Sequence, residues 1–261
     1  MNKVALLGAC VVVFAVGCRR DEPVPGPTTP AAAMVRLTLA PMWNGVPFDK
    51  NTIYQNISDE RIQLQLLKLY LGDVSLFTED GDSAEVFDVD FFKLTDGAVS
   101  RTYAVAEGTY GNVRVGLGVP ADLNGMNPAM WSNEEPLSIT NGMYWTWATM
   151  YRFVIFDGRY DTVATNTGTP PYQLSIHTGR NECYRNRSFV LPVTVTAGDT
   201  ADLRLEFDIA RFFYSPTDTL YMATESQQHG SIEELPMSEK FSDMVMAFMN
   251  LELEPCACAL R

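Results

Sequence analysis

The sequence predicts an all-β protein, an antiparallel β-sandwich with one short C-terminal helix. Three observations carry that expectation. Apolar and polar residues alternate with period two in many separate stretches, the pattern of strands with one wet and one buried face. Clusters of glycine, asparagine, aspartate and proline punctuate those stretches. Only one segment, near the C-terminus, has apolar residues at helical spacing. Many strands with so little helix argue for two packed sheets.

The elements follow in chain order. Residues 1–17 read as a leader: Lys3 gives a positive start and Val4 to Val16 are apolar or small without a break. That run is too short to span a bilayer as a mature helix and ends in small residues. Ala15-Val16-Gly17 before Cys18 resembles a lipobox, so Cys18 is the expected lipidation site. The protein is then exported and lipid-anchored in a bacterial cell envelope, in the periplasm or on the outer membrane. Residues 18–33 hold that cysteine and RRDEPVPGPTTPAAA, a proline-rich tether rather than a fold. The folded domain is expected over residues 34–261. Its strands include Val35 to Leu39, Arg61 to Leu66, Val113 to Val119 and Leu203 to Ile209, with turns at Glu79-Asp80-Gly81-Asp82 and Thr196-Ala197-Gly198-Asp199. Within the aromatic segment of residues 142–158, GMYWTWATMYRFVIFDG, Trp145 and Trp147 are two apart and point to the same face of a strand. Ser238 is the expected helix cap, and Phe241, Met244, Val245 and Phe248 fall on one helical face. Met244, Met246 and Met249 are read as soft packing side chains rather than a metal site.

Composition narrows the function. The formal charge of the 261-residue chain is −13, which argues against nucleic acid and against anionic membrane except through a lipid anchor. Two histidines in the whole chain exclude most multi-histidine catalytic sites. There is no Gly-x-Ser-x-Gly, no phosphate loop, no His-Glu-x-x-His, no dinucleotide glycine pattern and no EF-hand spacing, so no enzyme motif is present. Cys183, Cys256 and Cys258 are disulfide candidates in an oxidising compartment; the Cys-x-Cys pair alternatively suits a soft metal. His177 and His229 are the only imidazoles available to a metal such as copper, zinc or iron.

The aromatic segment resembles the Met-Tyr/Phe-Trp-Thr-Trp…Tyr-x-Phe…Glu/Asp-Gly signature of the MbnP family. The resemblance continues at Gly45-Val46-Pro47-Phe48, at Leu69 to Leu76, at Gly108-Thr109-Tyr110, at Gly116 to Pro120 and at His177-Thr178-Gly179, covering nearly all of residues 34–251. It implies an exported copper-binding protein for copper capture or handling, with binding rather than turnover. It names His177 and His229 as ligand candidates and implies that one tryptophan is oxidised to kynurenine by a di-haem peroxidase-like (MbnH-like) partner. Trp145 and Trp147 are the candidates, with Trp43 and Trp131 left open. Many members carry a histidine where Met42 falls here. A His177–His229–Met42 set would favour Cu(I), since a thioether is a soft ligand; the same departure also fits a domain without its metal. The alternative function is a non-metal interaction module binding glycan or protein through exposed aromatics. The two readings separate on whether His177 and His229 converge.

Overall fold

The computed structural model describes residues 32–145 and 149–254. The expected leader, Cys18, Trp147, Cys256 and Cys258 lie outside the described residues, as does most of the tether. The strands are β1 (Ala33–Trp43), β2 (Val46–Pro47), β3 (Tyr54–Gln55), β4 (Arg61–Phe77), β5 (Ser83–Lys93), β6 (Val99–Val105), β7 (Gly108–Leu117), β8 (Tyr144–Trp145), β9 (Met150–Asp161), β10 (Tyr172–Gly179), β11 (Arg185–Val195), β12 (Thr200–Asp208), β13 (Gln227–Gln228) and β14 (Met249–Leu253). The helices are α1 (Ala121–Asn124), α2 (Met222–Glu225) and α3 (Leu235–Ala247), with short 3-10 turns between strands. Among the described residues no helix is long and apolar enough to cross a membrane.

Two sheets form the sandwich. One runs β14-β12-β1 with β2 and β6 along the far edge of β1. The other runs β11-β7-β4-β9-β10-β13 with β3, β5 and β8 on its flanks. Alternation places Leu203, Leu205 and Phe207 of β12 in the core, while Arg204 and Glu206 face outward and pair at 2.9 Å. The main core fills the space between the sheets, with Val35, Leu37 and Leu39 of β1 joined to Leu67, Leu69 and Leu71 of β4 and to Val154 and Phe156 of β9.

A second apolar cluster lies on the opposite face of the larger sheet. Tyr70, Val119, Leu137, Met143, Tyr151, Phe153, Ile155 and Cys183 form it, so the segment between β7 and β9 roofs that face. Burial pushes the Cys183 thiol above its ordinary value, against hydrogen bonding from the Gly179 backbone and the charge of Arg185. The thiol is free; its expected pairing partners are outside the described residues.

Two local expectations change. The sandwich is not purely antiparallel: β1 pairs with β12 in parallel, Met34 opposite Thr200 through Met42 opposite Asp208. A parallel pair needs a crossover, and here the larger sheet itself supplies it. Helix α3 begins before Ser238, because Pro236 occupies its first turn, where a missing N–H costs nothing. Ser238 is instead buried, donating to Glu234 O at 3.2 Å and accepting from Gln228 Nε2. Residues 142–158 contribute to two strands. The chain reverses after Trp145, and β8 folds back on β9 with Tyr144 opposite Tyr151 and Trp145 opposite Met150.

Candidate metal centre

The centre sits on the roofed face of the larger sheet. Period two sends Tyr151, Phe153, Ile155 and Asp157 of β9 to this face; the first three are buried in the second cluster and Asp157 is its polar end. β10 runs antiparallel beside it, so Ser175 lies opposite Asp157 and His177 opposite Ile155. Ser175 Oγ donates to Asp157 Oδ1 at 2.8 Å. His177 Nε2 reaches the same oxygen, also at 2.8 Å.

The late polar loop brings the second imidazole. β13 runs parallel to β10, Ser175 opposite Gln227, and Ser175 N donates to Ser226 O at 2.8 Å. The Glu234 carboxylate accepts from the backbone N–H groups of His229 and Ser231, both at 3.0 Å. His229 therefore stands beside His177 with ring centroids 5.2 Å apart and planes at 82°. Its Nε2 lies 3.2 Å from Ser175 Oγ, while His177 Nε2 lies 3.4 Å from it.

Two glycines fix how closely these segments approach. A Cβ on Gly179 would meet Thr149 Cβ at 2.5 Å and Tyr151 O at 2.7 Å, and a Cβ on Gly230 would run into Thr149 Cγ2. Thr149 is thus clasped between the residue two after His177 and the residue after His229. That clasp also seats the β8–β9 reversal, and with it Trp145. The indole centroid is 5.2 Å from His177 and 6.0 Å from His229. The Arg152 guanidinium lies 4.3 Å from the indole ring and donates to Gly142 O.

The electrostatics favour a charged Asp157 carboxylate and a neutral His229 imidazole. Burial opposes ionisation of Asp157, but hydrogen bonds from His177 and Ser175, with the charges of His177 and Arg152, together hold its carboxyl below the ordinary value. Burial, then the charge of His177, pushes His229 below the ordinary histidine value, with Glu234 and Asp157 opposing. His177 is buried, and its Nδ1 has no hydrogen-bond partner. A serine, two histidines and an aspartate do not make a hydrolytic relay here. In such a relay the carboxylate and the serine engage opposite nitrogens of one imidazole, whereas both meet His177 at Nε2.

The structure thus brings together His177, His229 and Trp145. It does not bring Met42 to them. Met42 lies next to the end of β1 in the other sheet, its sulfur 3.9 Å from Arg204 Nη2, and the histidines occupy the face turned away from that sheet. The expected His–His–Met set is therefore not assembled. Trp43 is also elsewhere, stacked on Tyr54 at 4.3 Å in the main core, and Trp131 packs on the second cluster. Cys183 belongs to that cluster. Among the described residues no three histidine, cysteine, aspartate or glutamate side chains make a ready metal set; the centre offers a pair of imidazoles. Asp157, Ser175, Arg152 and Thr149 escape a motif search. The signals for the first two are the Ser-x-His spacing, which puts both on one strand face, and the position of Asp157 two residues beyond Ile155.

Fold and site together define a β-sandwich protein whose histidine pair is buttressed by a carboxylate and walled by an arginine-capped tryptophan. No curated protein matches the sequence. The MbnP family model does match, over residues 32–233, a span that contains both histidines and both central tryptophans. The chain belongs to the MbnP family. Among solved structures it is similar to MbnP from Methylosinus trichosporium, at 16% identity and a TM-score of 0.46 over 72% of this chain and 79% of that one.

Proposed function

We propose that this protein binds copper through His177 and His229. The observation that carries the reading is the convergence of the only two histidines in the chain, 5.2 Å apart, with a buried and unpartnered Nδ1 on His177. Imidazole suits copper, and an orphaned buried nitrogen is costly unless something occupies it. Copper bound there would supply a soft, redox-active cation held for capture or delivery. The protein's own groups hold the imidazoles in place, favour the neutral form of His229 through burial and close one side with the Trp145 indole. Trp145 is the described candidate for conversion to kynurenine by a di-haem peroxidase-like partner, with Trp147 the other candidate. The role is binding rather than catalysis, on a lipoprotein anchored through Cys18 in the cell envelope.

The test is metal content after Cu(I) loading and desalting, with the His177→Ala/His229→Ala double variant beside the wild type. About one copper per chain, lost in the variant, supports the reading. Intact mass on the same material reports the tryptophan oxidation. Equal copper in both proteins, or none in the wild type, overturns the histidine site and leaves a tethered interaction module.

A further inference from the structure

We infer that Asp157, acting directly on His177 and through Ser175 on His229, sets both imidazoles as Nε2–H tautomers, so that the metal-binding nitrogens are the two Nδ1 atoms. Asp157 and Ser175 are then positioning residues rather than ligands. The inference rests on the copper reading for its second half only; the tautomers are a property of the metal-free protein.

A proton inventory leads there. An ionised carboxylate only accepts hydrogen bonds. Both contacts to Asp157 Oδ1, from His177 Nε2 and from Ser175 Oγ, are 2.8 Å long. Each must carry its proton on the partner, so His177 is protonated at Nε2. Ser175 has a single hydroxyl proton and has given it to Asp157. At 3.2 Å from His229 Nε2 the serine oxygen is left only to accept, so His229 is also protonated at Nε2. One carboxylate thereby orders protons on two rings that come from distant parts of the chain.

The lone pairs follow. With both Nε2 atoms acting as donors, the coordinating lone pairs are on Nδ1. His177 Nδ1 is the buried imidazole nitrogen that lacks a protein partner. A carboxylate holding the N–H of a metal-binding histidine fixes its ring orientation and raises its basicity, and loss of such a partner typically costs 10–100-fold in metal affinity. Asp157 itself is no ligand in this arrangement, because its Oδ1 is committed to His177 Nε2 and Ser175 Oγ.

The experiment is long-range proton–nitrogen NMR of the imidazoles in 15N-labelled protein, first metal-free and then with Ag(I), a diamagnetic stand-in for Cu(I). The expected result is a proton on Nε2 of both rings without metal, then silver-induced shifts and silver–nitrogen coupling at both Nδ1 atoms. In Ser175→Ala the His229 N–H signal is expected to disappear into exchange while that of His177 persists. In Asp157→Ala silver affinity is expected to fall 10–100-fold. A proton on Nδ1 of either ring in the metal-free protein, or silver on either Nε2, overturns the inference, and the wild-type spectra decide this even if a variant fails to fold. Nε2–H tautomers with no silver binding would sink the copper reading and, with it, the assignment of Nδ1 as donor, while leaving the tautomer assignment standing.

Discussion

The clasp around Thr149 makes a strong prediction because a single methyl group carries it. Gly230 has φ +78°, and a Cβ there would run into Thr149 Cγ2. Gly230→Ala therefore incurs two costs. The left-handed backbone costs an ordinary residue about 1–2 kcal/mol, and overpacking a closed contact adds about 1–3 kcal/mol, so the single variant should lose roughly 2–5 kcal/mol. Thr149→Ser removes the obstructing methyl and, at a buried position, should cost about 1 kcal/mol by itself. In the double variant the clash is gone and only the backbone cost and the lost methyl remain, about 2–3 kcal/mol. The coupling is thus favourable, about 1–3 kcal/mol, well outside the roughly 0.5 kcal/mol scatter of independent sites. Urea unfolding of the four proteins measures it. Because Gly230 follows His229 directly, copper retention should fall in Gly230→Ala and recover in the double variant. Additive stabilities, with no recovery of metal, would refute the claim that Thr149 sets the approach of the His229 loop to β10.

Other predictions are simpler. His229 is held below the ordinary histidine value, chiefly by burial, so the unfolded chain binds the extra proton first; stability should be lost as pH falls below about 6.5, and His229→Gln should flatten that slope in urea titrations at pH 7.5 and 5.5. Phe241 is fully buried on α3, 5.4 Å from Phe156 and 5.9 Å from Phe212; Phe241→Ala should cost about 3–5 kcal/mol, and a loss below 1 kcal/mol would mean that α3 is not part of the core. Arg152→Ala should remove about 0.5–2 kcal/mol of cation–π stabilisation and move the Trp145 indole N–H resonance; an unchanged resonance would show that the guanidinium does not hold the ring.

Much of this architecture was legible in the amino-acid order, for physical reasons that also mark where legibility stops. Strands such as Leu203 to Ile209 announce themselves because period two is a direct consequence of a half-buried pleat. The reversal after Trp145 is silent because it lacks the usual turn residues. Met150 takes the positive φ of 60° that glycine or asparagine ordinarily supplies, so nothing in the run announces the turn. The start of α3 was misplaced because a serine resembles a cap by type alone, whereas Pro236 two places earlier was the stronger signal. At the site, the histidine pair was reached through residue identity and family resemblance. Its supporting groups depend on strand register, Ser175 opposite Asp157, and register is not written in either strand separately. Met42 failed for a related reason: position along the chain says nothing about which of two sheets a strand joins.

The parallel pairing of β1 with β12 also bears on how the protein is made. The first strand cannot acquire its neighbour on that side until Thr200 to Asp208 exist, since Met34 pairs with Thr200. Closing so long a loop is entropically costly and slow. At about 5–20 residues per second of synthesis, the ribosome spends many seconds on a nascent chain whose sandwich has no closing strand. The smaller sheet therefore closes only after the strands of the larger sheet from β3 to β11 have been made, so the two layers of the sandwich become available in order.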